Sequence, residues 1–117
     1  NDAKGWCACY WGGRPAETMM FSAAYVAESK WNDTMWKTTD SAVKFNQLVK
    51  DARKELDESK KRDILYECQR LIYDDGGLLC PLFNSYVSAN SKKIAHGKIA
   101  ANWDSDGAKC VERWWFA

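Results

Sequence analysis

The residues able to do chemistry are few in this sequence, and each can be weighed singly. Five cysteines, Cys7, Cys9, Cys68, Cys80 and Cys110, offer thiols for nucleophilic or metal chemistry. Cys7 and Cys9 are separated by one residue, and no second pair stands at a zinc-site spacing. On a strand those two thiols would share a face with Cα atoms roughly 6.5 Å apart, the far edge of disulfide geometry. Most of the five are expected to be small buried hydrophobes, the usual state of a free cysteine. The single His96 lies in "IAHGKI" without a recognisable nucleophile motif, and the sequence predicts a surface histidine in a turn. Asp74 and Asp75 could be paired carboxylates for acid–base work. They immediately precede Gly76 and Gly77, however, where a solvated helix end is the simpler reading. Gly12 and Gly13 lack the spacing of a phosphate loop. The residues therefore point away from an enzyme and imply neither metal nor cofactor.

One short stretch stands apart. "WGGRPAET", residues 11–18, sets Trp11, two glycines, Arg14 and Pro15 before an expected helix, with Glu17 in its first turn. A guanidinium grips a carboxylate or phosphate bidentately, so Arg14 is a candidate anion contact. The alternative is an ion pair with Glu17 across the first helical turn. Trp11 is either a platform for a ligand or core between strand and helix.

The elements that must position these residues follow from composition and pattern. A chain of 117 residues can bury one modest core. The 17 Lys and Arg are dispersed among 16 Asp and Glu, which leaves no electrostatic footprint for nucleic acid or an anionic membrane. No apolar run approaches the roughly 18 residues of a membrane span, and no stretch reads as a signal peptide. Seven tryptophans crowd towards the two ends, with none between Lys37 and Asn102, so the ends are expected to belong to something other than the central helices.

"GWCACYW" reads as a buried strand closed by a Gly-Gly turn. Pro15 suits the first turn of a helix through "AETMMFSAAYVA", and "ESKWNDTMWKTTD" is a loop. From about Ser41, Val43, Phe45, Leu48, Val49, Ala52 and Leu56 keep mostly to three- and four-residue steps, predicting a second helix. Asp57 caps a third, which carries Ile64, Leu65, Cys68, Leu71 and Ile72 and ends at Gly76. "LLCPLF" is expected to be a strand with Pro81 at an edge or bulge, "SKKIAHGKI" a basic turn region and "CVERWWF" a closing strand. The expected class is α/β, with helices packed on a mixed sheet.

The order of segments adds a resemblance. "FNQLVKDARKELDESKKRDILYECQRLIYDDGGLLCPLFNSYVSAN", with "ERWWF" near the end, resembles the C-terminal portion of the peptide/nickel class of bacterial solute-binding proteins that serve ABC importers. The most specific parts are Asp57 with Lys61 and Arg62, Tyr66 through Gln69, and Pro81 beyond the acidic, glycine-ended helix. The resemblance implies a two-lobed periplasmic-binding-protein-like fold, several times longer than this chain, closing over its ligand. On that pattern residues 1–88 belong to the second, ligand-binding lobe. Residues 89–117 return through the hinge to the first, leaving Trp114 and Trp115 to be covered by the remainder of the protein; uncovered apolar surface forfeits roughly 25 cal/mol per Å². The implied activity is capture of a peptide or anionic small solute for a membrane permease. The implied location is periplasmic, or extracellular and membrane-tethered, although five cysteines sit awkwardly in an oxidising compartment.

In the peptide-binding members, an aspartate in the strand-to-helix turn after a tryptophan pairs with the ligand's ammonium. Arg14 stands at that place here, which implies a departure from plain amine recognition; Glu17 is the possible substitute. Trp31 and Asn32 correspond to a segment that lines the cleft in relatives, though Asn32 could instead cap the turn at Asp33 and Thr34. Two other classes remain in view from the residues: an autonomous α/β interaction domain and a cysteine-dependent enzyme.

Overall fold

The computed structural model describes residues 5–101 and 103–117. The chain divides at Arg14/Pro15 and again at Ser85/Tyr86. Pro15–Ser85 forms one compact unit, and the residues flanking it form the other.

The Pro15–Ser85 unit is helical. α1 (Glu17–Met20) runs directly into a π-helical segment, Phe21–Tyr25, whose wider turn is marked by the Val26 N–H donating to the Phe21 carbonyl at 3.1 Å. α2 (Asp40–Lys54) begins at Thr39, whose hydroxyl accepts the Ala42 N–H, and carries Asp40 in its first turn and Arg53 and Lys54 in its last. Both ends thus complement the helix dipole. α3 (Glu58–Asp75) starts at Asp57, whose carboxylate accepts the Ser59 and Lys60 N–H groups at 2.9 and 3.0 Å.

Burial follows the helical period. In α2 it takes Ala42, Phe45, Val49 and Ala52; in α3 it takes Cys68 and Leu71, with Ile64, Leu65 and Ile72 half covered against them. Phe45 is the centre: its ring meets Phe21 and Tyr25 edge-on at 5.7 and 6.4 Å between centroids, and Trp36 at 5.1 Å. Two bonds tie the π segment and the residues just after it to α2. Asn46 accepts the Ala27 N–H at 3.0 Å, and the Arg53 guanidinium donates to the Ser22 hydroxyl. On the outer side, Glu67 binds Arg70 and Lys44, which hold its carboxyl down from 4.5 to about 2.

In the other unit, β1 (Ile94–His96) and β2 (Trp114–Phe116) pair antiparallel, with His96 opposite Trp114 and Ile94 opposite Phe116. Between them lie α4 (Asp104–Ala108) and α5 (Cys110–Arg113). α4 is wound left-handed: Ser105, Asp106, Gly107 and Ala108 all have φ between 54° and 70°. Among L-residues each non-glycine position of that kind costs about 1–2 kcal/mol.

The architecture is a small mixed α/β chain, mostly helical. The expected packing of helices on a mixed sheet is corrected: among the described residues the helices pack on one another, and the one sheet is two-stranded and antiparallel. "GWCACYW" forms no strand and its Trp6, Cys7, Cys9 and Tyr10 are exposed, because no neighbouring strand takes its backbone bonds. "LLCPLF" likewise forms none, and Phe83 is 94% exposed. Leu56, counted into the α2 stripe, is 93% exposed because the helix stops at Lys54 and Glu55 turns extended. Buried cysteine proves to be Cys68 alone among the described residues. His96 lies in β1, half-buried and stacked on Trp114 at 5.2 Å, and only the last three residues of "CVERWWF" are strand. No helix among the described residues is long and apolar enough to cross a membrane.

Phe45→Ala should lower unfolding stability by about 3–5 kcal/mol in urea titrations, whereas Leu56→Asn should stay within about 0.5 kcal/mol. A Phe45→Ala cost below about 1 kcal/mol would remove Phe45 from the centre of the core. Because Glu67's folded value is depressed, its contribution is in place above 4.5 and fades as pH falls from 4.5 towards about 2. Glu67→Gln should lower Tm slightly near neutrality, flatten its fall with pH in that window, and match the unaltered chain in stronger acid.

Candidate functional site

The unit flanking Pro15–Ser85 converges on Gly13. Its N–H donates to the Tyr86 hydroxyl at 3.2 Å, and its carbonyl accepts the Trp103 indole N–H at 2.7 Å. These contacts join positions 73 and 90 residues apart. A Cβ at Gly13 would meet the Tyr86 oxygen at 3.1 Å, so the close approach favours glycine here.

Arg14 folds back over this loop. Its Nη1 donates to the Gly12 carbonyl at 2.9 Å and the Gly13 carbonyl at 3.3 Å, while the guanidinium carbon stands 5.9 Å from the centre of the Trp11 ring. Trp11 is half-buried, a ring on which the cation lies. The other guanidinium N–H groups have no partner among the described residues.

Beside this loop is an open hollow of about 400 Å³, walled by the rings of Tyr10, Tyr86 and Trp103 and carrying Arg14, Asp104 and Ser105 on its lining. Asp104, like the free side of Arg14, has neither hydrogen bond nor ion pair among the described residues. One cation and one anion thus line the same small space without pairing to each other.

Trp103 and Asp104 are anchored by the segment C-terminal to them. Asp106, buried in α4, accepts the Ala100 N–H at 2.6 Å and the Trp114 indole N–H at 3.1 Å, and pairs with Arg113 at 3.0 Å. Arg113 also donates to the Lys98 carbonyl. The Ala100 bond chiefly, then the Trp114 bond and the Arg113 and His96 charges, hold the Asp106 carboxyl below the ordinary aspartate range, against the opposing effect of burial.

Of the candidate ligand contacts, Trp11 and Arg14 come together here. Glu17, Trp31 and Asn32 belong to the helical unit. Glu17 is exposed in the first turn of α1, and Trp31 is 68% exposed in the loop after the π segment. Asn32 is 4% exposed and fully engaged. Its amide N–H groups reach the Tyr25, Val26 and Trp36 carbonyls, and its oxygen accepts from the Thr34 N–H and hydroxyl.

The paired-carboxylate reading of Asp74 and Asp75 also resolves. Asp75 accepts from the Ser41 hydroxyl, the Trp36 indole at 2.9 Å and the Thr39 hydroxyl at 3.1 Å, which hold it down in that order. Asp74 pairs with Arg70 at 2.8 Å. The helix end is exposed, as expected, and its two carboxylates are tied to neighbouring donors. Burial, then the Glu67 charge, pushes the Cys68 thiol up to about 11, far from a reactive thiolate. Among the described residues no group of three or more metal-ligating side chains converges.

Tyr10, Tyr86, Trp103 and Asp104 carry no motif that marks them in the sequence. The crowding of aromatic residues towards both ends could have drawn attention to Tyr10 and Trp103, which line this hollow; no such signal marks Tyr86 or Asp104. No family model, curated protein or solved structure matches the chain.

Asp106 contributes above the ordinary aspartate range, and that contribution is lost as pH falls through it, since its folded value is depressed. The Trp114 indole proton resonance should therefore hold steady at neutral pH and move upfield only in acid. Asp106→Asn should keep the Ala100 bond and lose the Arg113 pairing; an unchanged acid titration of that resonance in the variant would exclude Asp106 as its partner.

Proposed function

We propose that this chain is part of the extracytoplasmic solute-binding component of an ABC importer, which captures a peptide or related small solute between two lobes and delivers it to the membrane permease. The reading rests on the resemblance of residues 45–90 and 112–116 to that class. The observation that supports it best is the connectivity: one compact helical unit, Pro15–Ser85, is inserted between two stretches that join in another. The exit from the helical unit at Ser85/Tyr86 lies close to the place where the class returns through its hinge.

The implied mechanism is binding without bond chemistry. A ligand that contacts both lobes in the closed form shifts the open–closed equilibrium by the difference in its affinity for the two states. Arg14, preset by its carbonyl bonds and by Trp11, supplies a fixed cation for a carboxylate of the solute. Asn32, saturated within its loop, shapes the segment that presents Trp31 rather than contacting the solute itself. Glu17 remains a candidate contact from the start of α1. Such a protein works in the periplasm, or outside a cell that lacks an outer membrane while tethered to it.

Native and then denaturing mass spectrometry of the natural protein tests this. The expected result is a covalent species several times heavier than 13.4 kDa that contains these residues. A folded species of 13.4 kDa standing alone would replace the transport reading with that of an autonomous interaction domain.

A further inference from the structure

The hollow beside Gly13 carries information about its occupant that the transport reading alone does not supply. Arg14 and Asp104 are opposite charges on the lining of one space of about 400 Å³, yet no ion pair joins them, and neither side chain has another charged partner among the described residues. A ligand bearing only a carboxylate would satisfy Arg14 and bring its charge beside an unpaired Asp104. A ligand bearing only an ammonium would satisfy Asp104 and face an uncompensated guanidinium. Both side chains are exposed and hydrated, and a ligand that covers them displaces that water, so one that carries both charges leaves neither unpaired beneath it.

The remaining lining sets its size and body. Tyr10, Tyr86 and Trp103 bring three aromatic residues to the lining, a composition suited to packing against another ring. The volume is near the small end of the range of roughly 300–1,000 Å³ for small-molecule sites, which suits a single residue-sized molecule better than an extended chain. Arg14 is already held by Gly12 and Gly13, so little side-chain freedom is lost when it binds.

We infer that the hollow bounded by Arg14, Asp104 and the rings of Tyr10, Tyr86 and Trp103 is a seat for a small aromatic zwitterion, an α-amino acid of the phenylalanine kind. The carboxylate lies on the free N–H groups of Arg14, the ammonium on Asp104 and the ring between the aromatic walls. This assignment deepens the solute-binding reading and rests on it for the role of Arg14.

Isothermal calorimetry on the full chain, with four probes, tests it. L-phenylalanine carries both charges and a ring, 3-phenylpropionate lacks the ammonium, phenethylamine lacks the carboxylate and L-alanine lacks the ring. L-phenylalanine should bind about tenfold or more tighter than each of the others, the size of one charge-assisted contact. Asp104→Asn should weaken L-phenylalanine and phenethylamine by about tenfold and spare 3-phenylpropionate. Arg14→Gln should weaken L-phenylalanine and 3-phenylpropionate and spare phenethylamine. Arg14 also holds its own loop, so Asp104→Asn, which removes no hydrogen bond or ion pair among the described residues, is the deciding variant. Equal affinity for L-phenylalanine and 3-phenylpropionate, indifference to Asp104→Asn, equal binding of L-alanine, or no heat with any probe would each overturn the assignment. Failure here beside a heavy parent species leaves transport standing and removes only the ligand class. The expected pattern on a lone 13.4 kDa chain would do the reverse.

Discussion

The helical unit depends on how the indole of Trp36 is buried. Its ring fills the space against Phe45, while its N–H cannot be left without an acceptor inside the core. Asp75 supplies that acceptor from the far end of α3, and the Ser41 and Thr39 hydroxyls from the start of α2 meet the same oxygen. One carboxylate thus fixes the loop carrying Trp36, the beginning of α2 and the end of α3. An acidic group at a helix C-terminus opposes the dipole, and the three donors offset that cost. The short link of Glu55, Leu56 and Asp57 closes the opposite end, so the helix pair is bound at both ends.

This explains what could be read from the sequence. Long helices announce themselves because the period repeats: Phe45, Val49 and Ala52 set one face, and Thr39 and Asp57 mark starts through side chains that accept local N–H groups. Strands carry no such local mark. "GWCACYW" and "LLCPLF" are apolar enough to pair, but pairing requires a second strand that composition cannot supply. Conversely, Ile94–His96 sits in a lysine-rich stretch that reads as a turn, and becomes a strand only because Trp114–Phe116 lies beside it. Leu56 shows the remaining ambiguity: a stripe continues in the sequence for a few residues after the backbone has left the helix.

Within the candidate site, local chemistry pointed to Arg14 and Trp11, which are three residues apart. The partners that give Arg14 a setting come from the far end of the chain and could not be counted from spacing. Gly13 shows why: its two backbone groups are used by Tyr86 and Trp103, so a small residue in an aromatic stretch is the junction of distant segments. Asn32 illustrates the opposite case. An amide in a polar loop invites a ligand role, and the backbone of the same loop consumes all that it offers.

The left-handed winding of α4 has a consequence for the chirality of its building blocks. A φ near +60° is disfavoured for L-residues by the clash of Cβ with the following carbonyl oxygen, and the mirror-image residue meets no such clash. Ser105 and Ala108 are exposed, so inverting the configuration at their Cα atoms would leave the backbone path intact while their side chains still reach solvent. A chemically synthesised chain with D-serine and D-alanine at those two positions would hold the turn with less strain than the ribosomal product does.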